Sequence, residues 1–156
     1  MQIGLYAGSF DPFTNGHLHV VKQASKFFDK VIIGIGVHPT KKRRFDKDIM
    51  KSAIEKALAH NGITNATVIC YSNLTIEIAE ENNVTFLVRG IRNGMDYQYE
   101  ENIASVNEEI SGIDTVYFRA GQLGNISSSM VMELMQNNRD VSKYVPNDVL
   151  DAITNK

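Results

Sequence analysis

Several familiar features are missing from this chain, and each absence narrows the choice. One cysteine, Cys70, cannot close an internal disulfide, so the sequence suits a reducing compartment. Neither charge sign dominates. A formal net charge of −2 and a pI near 6.1 argue against a nucleic-acid coat or a membrane-surface protein. No stretch reaches the roughly eighteen consecutive apolar residues of a membrane span. The N-terminus lacks a basic region followed by an apolar core, so nothing points to export and the expected location is cytoplasmic. Prolines number only three, and there are no repeats, low-complexity runs or linker-like stretches to suggest a domain boundary. The chemistry is bounded in the same way. There is no Gly-x-Gly-x-x-Gly fingerprint and no Gly-Lys-Ser/Thr of a P-loop. There is also no Ser-His-Asp order with a nucleophile elbow, and no histidine–cysteine cluster at metal-ligand spacing.

What is present is an ordinary globular composition, 43% hydrophobic and 22% charged over 156 residues. One domain spanning residues 1–156 is expected, long enough to bury roughly 70% of its unfolded surface. The first seventeen residues organise the rest. An apolar strand, Gln2 to Ala7, runs into a turn built from Gly8, Pro12, Asn15 and Gly16. A helix follows with Leu18, Val21, Ala24 and Phe28 at helical spacing. Strand, glycine-bearing turn and helix N-terminus together make an anion site, because backbone N–H groups are unpaired there and the helix dipole is positive. His17 stands in the first helical turn, within reach of whatever that end collects.

Further strands are expected at Lys30 to Val37, Ala66 to Tyr71, Val84 to Val88 and Asp114 to Ala120. Asp46 is the expected N-cap of a second helix whose apolar face is Ile49/Met50, Ala53/Ile54 and Ala57/Leu58, with Gly62 at its exit. A short helix covers Thr75 to Asn82. Another starts near Asp96 with Tyr99, Ile103, Val106 and Ile110 on one face, Tyr99 and Ile103 reading as core. Ser127-Ser128-Ser129 opens a helix carrying Met130, Val131, Leu134 and Met135. A last helix follows Pro146, with Val149, Leu150 and Ile153 inward. Five buried strands alternating with helices imply a doubly wound parallel sheet with helices on both faces. In such sheets ligands bind beyond the carboxyl ends of the strands. The loops at 8–17, 38–44, 71–75, 89–96 and 120–129 all follow strands and so share one rim.

The polar residues of that rim are Ser9, His17, Lys41, Arg89, Arg92, Glu100 and Ser127 to Ser129. A set rich in donors and cations suits phosphoryl or nucleotidyl transfer, in which the protein positions phosphates and neutralises developing charge. If the attacking group is a phosphate monoester, with a second pKa of about 6, no general base is needed. Each residue also has a plain alternative. Lys41 to Arg44 reads equally as a solvated charge run, Arg89 and Arg92 as surface ion-pair partners, and one of the three serines as only an N-cap. His38, His60 and Cys70 carry no signal.

Gly8-Ser9-Phe10-Asp11-Pro12-Phe13-Thr14-Asn15-Gly16-His17 resembles the signature of small-molecule nucleotidyltransferases, with Thr14-Asn15-Gly16-His17 as its Thr/His-x-Gly-His tetrad. With Pro39-Thr40-Lys41-Lys42, Arg89-Gly90-Ile91-Arg92, Asp96-Tyr97-Gln98-Tyr99-Glu100 and Ile126-Ser127-Ser128-Ser129, the chain resembles the bacterial phosphopantetheine adenylyltransferase family over nearly its whole length. That resemblance implies a Rossmann-like fold and transfer of AMP from ATP to phosphopantetheine, giving dephospho-coenzyme A and pyrophosphate, with Mg2+ bound mainly through the ATP phosphates. It also implies a homohexamer, a dimer of trimers, for which Tyr97, Met95 and the apolar helix around Ile103 offer a contact surface. Carried over, Ser9 and Phe10 would contact nucleotide and substrate phosphate, and His17 would hold the α-phosphate. Lys41 and Arg89 would bind the phosphopantetheine phosphate and the developing charge, and Leu74 would line the pantetheine arm. Gly90, Ile91, Arg92 and Glu100 would line the ATP site, with Ser127 to Ser129 receiving the β- and γ-phosphates.

Two departures stand out. Leu123-Gly124-Asn125, also assigned to the ATP site, replaces an aromatic residue common before Ile-Ser-Ser-Ser. Arg43-Arg44 stands where members often have a proline and an apolar residue. The rival readings are transfer to another small phosphate, such as nicotinamide mononucleotide or glycerol phosphate, and a nucleotide-binding sensor without turnover.

Overall fold

The computed structural model describes residues 1–92 and 94–154, apart from the side chains of residues 94–96, 99, 100 and 122. The elements are β1 Ile3–Gly8, α1 Asn15–Phe27, β2 Lys30–Gly36, α2 Lys47–His60, β3 Ala66–Tyr71, α3 Thr75–Glu81, β4 Phe86–Ile91, α4 Gly94–Ser111, β5 Asp114–Arg119, α5 Ser128–Gln136 and α6 Asn147–Thr154. A single 3-10 turn at Gly121–Leu123 precedes α5. The strands form one five-stranded sheet in the order β3-β2-β1-β4-β5, and every pairing is parallel. The order reverses beside β1, which has β2 on one side and β4 on the other. This is the point where a doubly wound sheet opens a crevice.

Strand composition explains the layering. Val31, Ile32, Ile33 and Ile35 of β2 are all buried, as a strand covered on both faces requires. On one face Tyr6, Ile33 and Val88 pack with Val21 of α1, Ile54 of α2, Val131 of α5 and Val149 of α6. On the other, Leu5, Ala7, Ile32 and Leu87 pack with Ile78 and Ala79 of α3. Asp46 caps α2 as expected, its Oδ2 accepting from the N–H groups of Asp48 (3.0 Å) and Ile49 (3.1 Å). Gly62 leaves that helix with φ +68°, the left-handed region open to glycine.

Three expectations change. Ile49, expected on the apolar face of α2, is 54% exposed. The fourth strand runs Phe86–Ile91, not Val84 to Val88. Val84 instead donates to the Ala79 carbonyl as the chain leaves α3, whereas Arg89, Gly90 and Ile91 pair with Tyr117, Phe118 and Arg119 of β5. The backbone ladder sets a strand's end, and here it outlasts the apolar run. On α4, Val106 and Ile110 face outward, 52% and 68% exposed, while the small Ala104 is buried. Ile103 is half-buried, and the Tyr99 side chain lies outside the described residues.

Candidate active site

The turn after β1 is held by three aromatic rings. A Cβ on Gly8 would come within 3.2 Å of the Phe10 ring, so glycine there lets that ring fold back under the strand. Phe10 itself has φ 45°, a left-handed backbone that is uncommon and costly for a bulky residue. Its ring is buried at 2% exposure beside Phe13 at 0%, and that packing offsets the strain. The His17 imidazole lies among these rings: edge-on to Phe10 at 4.9 Å, stacked on Phe13 at 5.5 Å, and 6.3 Å from Tyr6.

Thr14, fully buried, is the N-cap of α1. Its hydroxyl accepts from the His17 backbone N–H at 3.3 Å, and its own N–H donates to His17 Nδ1 at 3.0 Å. His17 therefore occupies the third helical position of a capping box, where Glu or Gln is usual. Because Nδ1 accepts, it carries no proton, and the neutral ring keeps its N–H at Nε2. Burial first, and the Arg92 guanidinium second, lower the His17 pKa to about 4. At neutral pH the ring is an uncharged donor fixed at a helix N-terminus.

A cavity of about 320 Å³ opens over this ring, at the junction of β1 and β4. Ser9, Phe10 and His17 form one wall. Arg89, Gly90 and Arg92 form a second, and Leu123, Ile126, Ser127 and Ser128 a third. Arg89 is steadied by donating to the Ala7 carbonyl at 2.8 Å. Gly90 is needed for packing: a Cβ there would meet Val20 Cγ2 at 2.8 Å. The three serines divide their work. The Ser127 hydroxyl caps α5, accepting from Met130 N at 3.1 Å, and the Ser128 hydroxyl donates to the Pro12 carbonyl at 2.7 Å. Ser128 thus ties the second helix start to the first turn. The N–H groups of Ser128 and Ser129 and the Ser129 hydroxyl remain for a ligand.

Lys41 does not line this cavity. It lines an adjoining cleft of about 340 Å³ with Asp11, His38, Lys42, Arg43, Arg44 and Ser129, and Ser9 and Ser128 form the wall between the two. Leu74, 66% exposed, lies in a third, shallower groove of about 580 Å³ that shares Gly36 and His38 with the cleft. The three hollows form one run along the carboxyl ends of β1, β2, β3 and β4. Ile91, Gly124 and Asn125 stand outside the cavity wall, where the Ile91 carbonyl accepts from Ala120 N and Gly124 N donates to the Gly121 carbonyl. The Glu100 side chain lies outside the described residues.

Sequence reasoning missed three contributors. Val20 and Tyr6 line the cavity, and Val20 is betrayed only by its position three residues after His17. His38 borders two hollows and accepts from Thr40 N at 3.2 Å. The solvated reading of the charge run fails for Arg43, whose side chain is 12% exposed and turned onto the Ser9 carbonyl at 2.6 Å. Among the described residues, no group of three His, Cys, Asp or Glu side chains is placed to hold a metal ion.

The chain is similar to known proteins in sequence and in fold. The cytidylyltransferase-like family model matches residues 5–134. Phosphopantetheine adenylyltransferase from Streptococcus pneumoniae is 40% identical over 158 aligned positions, covering 99% of this chain and 96% of that protein. The Porphyromonas gingivalis protein of the same name is 42% identical, covering 92% and 94%. Among solved structures, a candidate nicotinate-nucleotide adenylyltransferase from Vibrio parahaemolyticus superposes with TM-score 0.73 at 20% identity, over 99% of this chain and all of that one. A bifunctional NMN adenylyltransferase/ADP-ribose pyrophosphatase from Francisella tularensis, complexed with AMP and a manganese ion, gives 0.69 at 18% identity, over 98% of this chain and 52% of that one. At those identities the structures speak for the fold, and the sequence relatives speak for the family. With its Thr14–His17 tetrad, its second serine-capped helix start and its full-length match to those relatives, the chain belongs to the cytidylyltransferase-like nucleotidyltransferases and, within them, to the phosphopantetheine adenylyltransferases.

Proposed function

We propose that this protein transfers AMP from ATP to the phosphate of phosphopantetheine, giving dephospho-coenzyme A and pyrophosphate. The observation that carries this reading is the His17 ring, an uncharged donor locked by Thr14 in a cavity that also holds Arg89, Arg92 and the N-terminus of α5. A triphosphate suits that cavity, with its β- and γ-phosphates against the backbone N–H groups of Ser128 and Ser129. The acceptor phosphate suits the cleft of Lys41, across the Ser9 wall, and the pantetheine arm suits the groove of Leu74. Arg89 lines the nucleotide cavity and would meet the acceptor phosphate where that cavity adjoins the cleft at Ser9.

An oxygen of the phosphopantetheine phosphate attacks the α-phosphorus, and the bond from that phosphorus to the bridging oxygen breaks. The electron pair leaves with pyrophosphate. The attacking phosphate is already largely ionised at neutral pH, its second pKa being about 6, so no base is called for. His17 Nε2–H, Arg89 and Lys41 meet the charge that builds on oxygen, and they need not reorganise because the fold has already placed them. A magnesium ion brought with the nucleotide would neutralise part of its phosphate charge. The described residues of the cavity supply cations, hydroxyls and N–H groups, a donor set for such a complex.

In this reading one domain spans residues 1–156 and works in the cytoplasm as a hexamer, a dimer of trimers. The outward Tyr97, Val106 and Ile110 of α4 supply the apolar contact. Light scattering at micromolar concentration is expected to exclude a 17.4 kDa monomer. The test of function is pyrophosphate release from MgATP with a panel of acceptors. Phosphopantetheine should be preferred. Preference for a mononucleotide or glycerol phosphate would overturn the assignment, and tight ATP binding without acceptor-dependent release would mark a sensor.

A further inference from the structure

Arg43 lies in the loop after β2, within the run Lys41-Lys42-Arg43-Arg44, yet its donors are turned onto protein. Nη1 donates to the Ser9 carbonyl at 2.6 Å, Nη2 to the Phe10 carbonyl at 3.4 Å, and Nε to the Phe45 carbonyl at 2.9 Å. Asp11 closes the other side. Its Oδ1 stands 3.6 Å from Arg43 Nη2 and accepts from Phe45 N at 2.9 Å, while Oδ2 accepts from Arg44 N at 2.7 Å. The turn carrying Ser9 and the loop carrying Lys41 are therefore stapled together. The planar fork of a guanidinium can span adjacent carbonyls, and an ammonium cannot. One of the gripped carbonyls belongs to Phe10, held at φ 45°, whose ring meets His17 edge-on at 4.9 Å.

We propose that Arg43 is a positioning residue for the transfer: through the Ser9 and Phe10 carbonyls it fixes the turn against which His17 is set, and through its own loop it fixes that turn relative to Lys41. This deepens the adenylyl-transfer reading above and rests on it. Arg43 borders the cleft of Lys41, but its donors are turned onto the Ser9, Phe10 and Phe45 carbonyls. Its loss should therefore appear as lost alignment, which costs turnover more than nucleotide binding. A misplacement near 1 Å can cost on the order of a hundredfold.

The experiment compares wild type, Arg43→Ala and Arg43→Lys by melting temperature, by steady-state kinetics, and by the His17 ring resonance in a carbon-13 NMR spectrum, assigned with a His17→Gln variant. In Arg43→Ala we expect turnover lower by about ten- to a hundredfold, with the ATP KM within about threefold. The His17 resonance should move as the Phe10 ring shifts, and millimolar guanidinium should restore part of the turnover. Arg43→Lys keeps the charge without the fork and should stay impaired. It also carries the test if Arg43→Ala does not fold. Full turnover in Arg43→Lys would overturn the proposal, as would an unmoved His17 resonance in a folded variant. The resonance needs no acceptor, so it separates failure here from failure of the phosphopantetheine assignment.

Discussion

Thr14 and His17 hold each other by three hydrogen bonds: the Thr14 N–H to Nδ1 at 3.0 Å, the His17 N–H to the Thr14 hydroxyl at 3.3 Å, and that hydroxyl with Nδ1 at 3.3 Å. One pair of residues thus does two jobs. It satisfies two N–H groups at the start of α1, and it selects the tautomer that presents Nε2–H to the cavity. Stability and chemistry meet in one side chain, and substitution can separate them.

His17→Ala should cut turnover by roughly a hundred- to a thousandfold, about 2.7–4 kcal/mol, by analogy with loss of one oxyanion donor. ATP affinity should fall less than about tenfold, or 1.4 kcal/mol, because the contact strengthens only as charge develops. The alanine variant should also melt lower, since the Thr14 N–H loses its partner. His17→Gln is the control. Gln is at home in a capping box and should recover the melting temperature without recovering turnover. A folded variant of either kind with near-normal turnover would remove His17 from the mechanism.

The pH dependence follows from the same ring. Its pKa falls from 6.5 to about 4 on folding, mainly through burial. Between those values the unfolded chain binds the proton and the folded one does not, so acid favours unfolding. The His17 contribution is therefore complete above pH 6.5 and is lost as pH falls toward 4. At 1.36 kcal/mol per unit the loss is at most about 3 kcal/mol, and less in practice because one edge of the ring faces the cavity. Wild type should lose more melting temperature than His17→Gln between pH 7 and 5. Parallel curves would show that His17 does not titrate in that window.

Much of this was legible before any coordinates. Periodicity located the five strands and six α-helices of the described residues, because buried strands and amphipathic helices write much of their burial into sequence, but it misread the inner face of α4, where Val106 and Ile110 are exposed. The end of β4 was not legible, since Arg89, Gly90 and Ile91 extend the ladder through backbone bonds that polar side chains do not advertise. The site was readable as a set of residues on one rim. Its partition was not: Lys41 and Arg89 line different hollows, and the hydroxyls of Ser127 and Ser128 are committed to a cap and to the Pro12 carbonyl. Arg43 looked like one more solvated cation because its partners, the carbonyls of Ser9 and Phe10, lie more than thirty residues away.

Arg89→Ala should weaken use of phosphopantetheine much more than ATP binding, because a charge-assisted contact to the acceptor phosphate is worth about 1.5–3 kcal/mol. Lys41→Ala, in the neighbouring cleft, should show the same bias. Separate titrations of the two substrates decide it. Equal losses for both would place Arg89 with the nucleotide alone, beside Arg92, with which it shares the cavity.

Gly90 offers a test of packing beneath the site. It lies within β4, where its backbone is extended and glycine is not required by conformation. What requires it is α1: a Cβ at residue 90 would lie 2.8 Å from Val20 Cγ2, and Val20 is only 2% exposed. A valine in a helix has one strongly preferred rotamer, so it cannot swing away, and α1 must move instead. That helix carries His17 one turn before Val20. Gly90→Ala should therefore cost about 1–3 kcal/mol of stability, the usual penalty of overpacking, and should also lower turnover by displacing His17. Val20→Ala makes room for the new methyl group. By itself it should destabilise by leaving a small cavity, but the Gly90→Ala/Val20→Ala pair should be more stable than the sum of the single changes, and turnover should rise with it. Melting curves and kinetics on the four proteins complete the cycle. Simple additivity would show that the contact does not constrain α1 and that Gly90 serves the cavity in some other way.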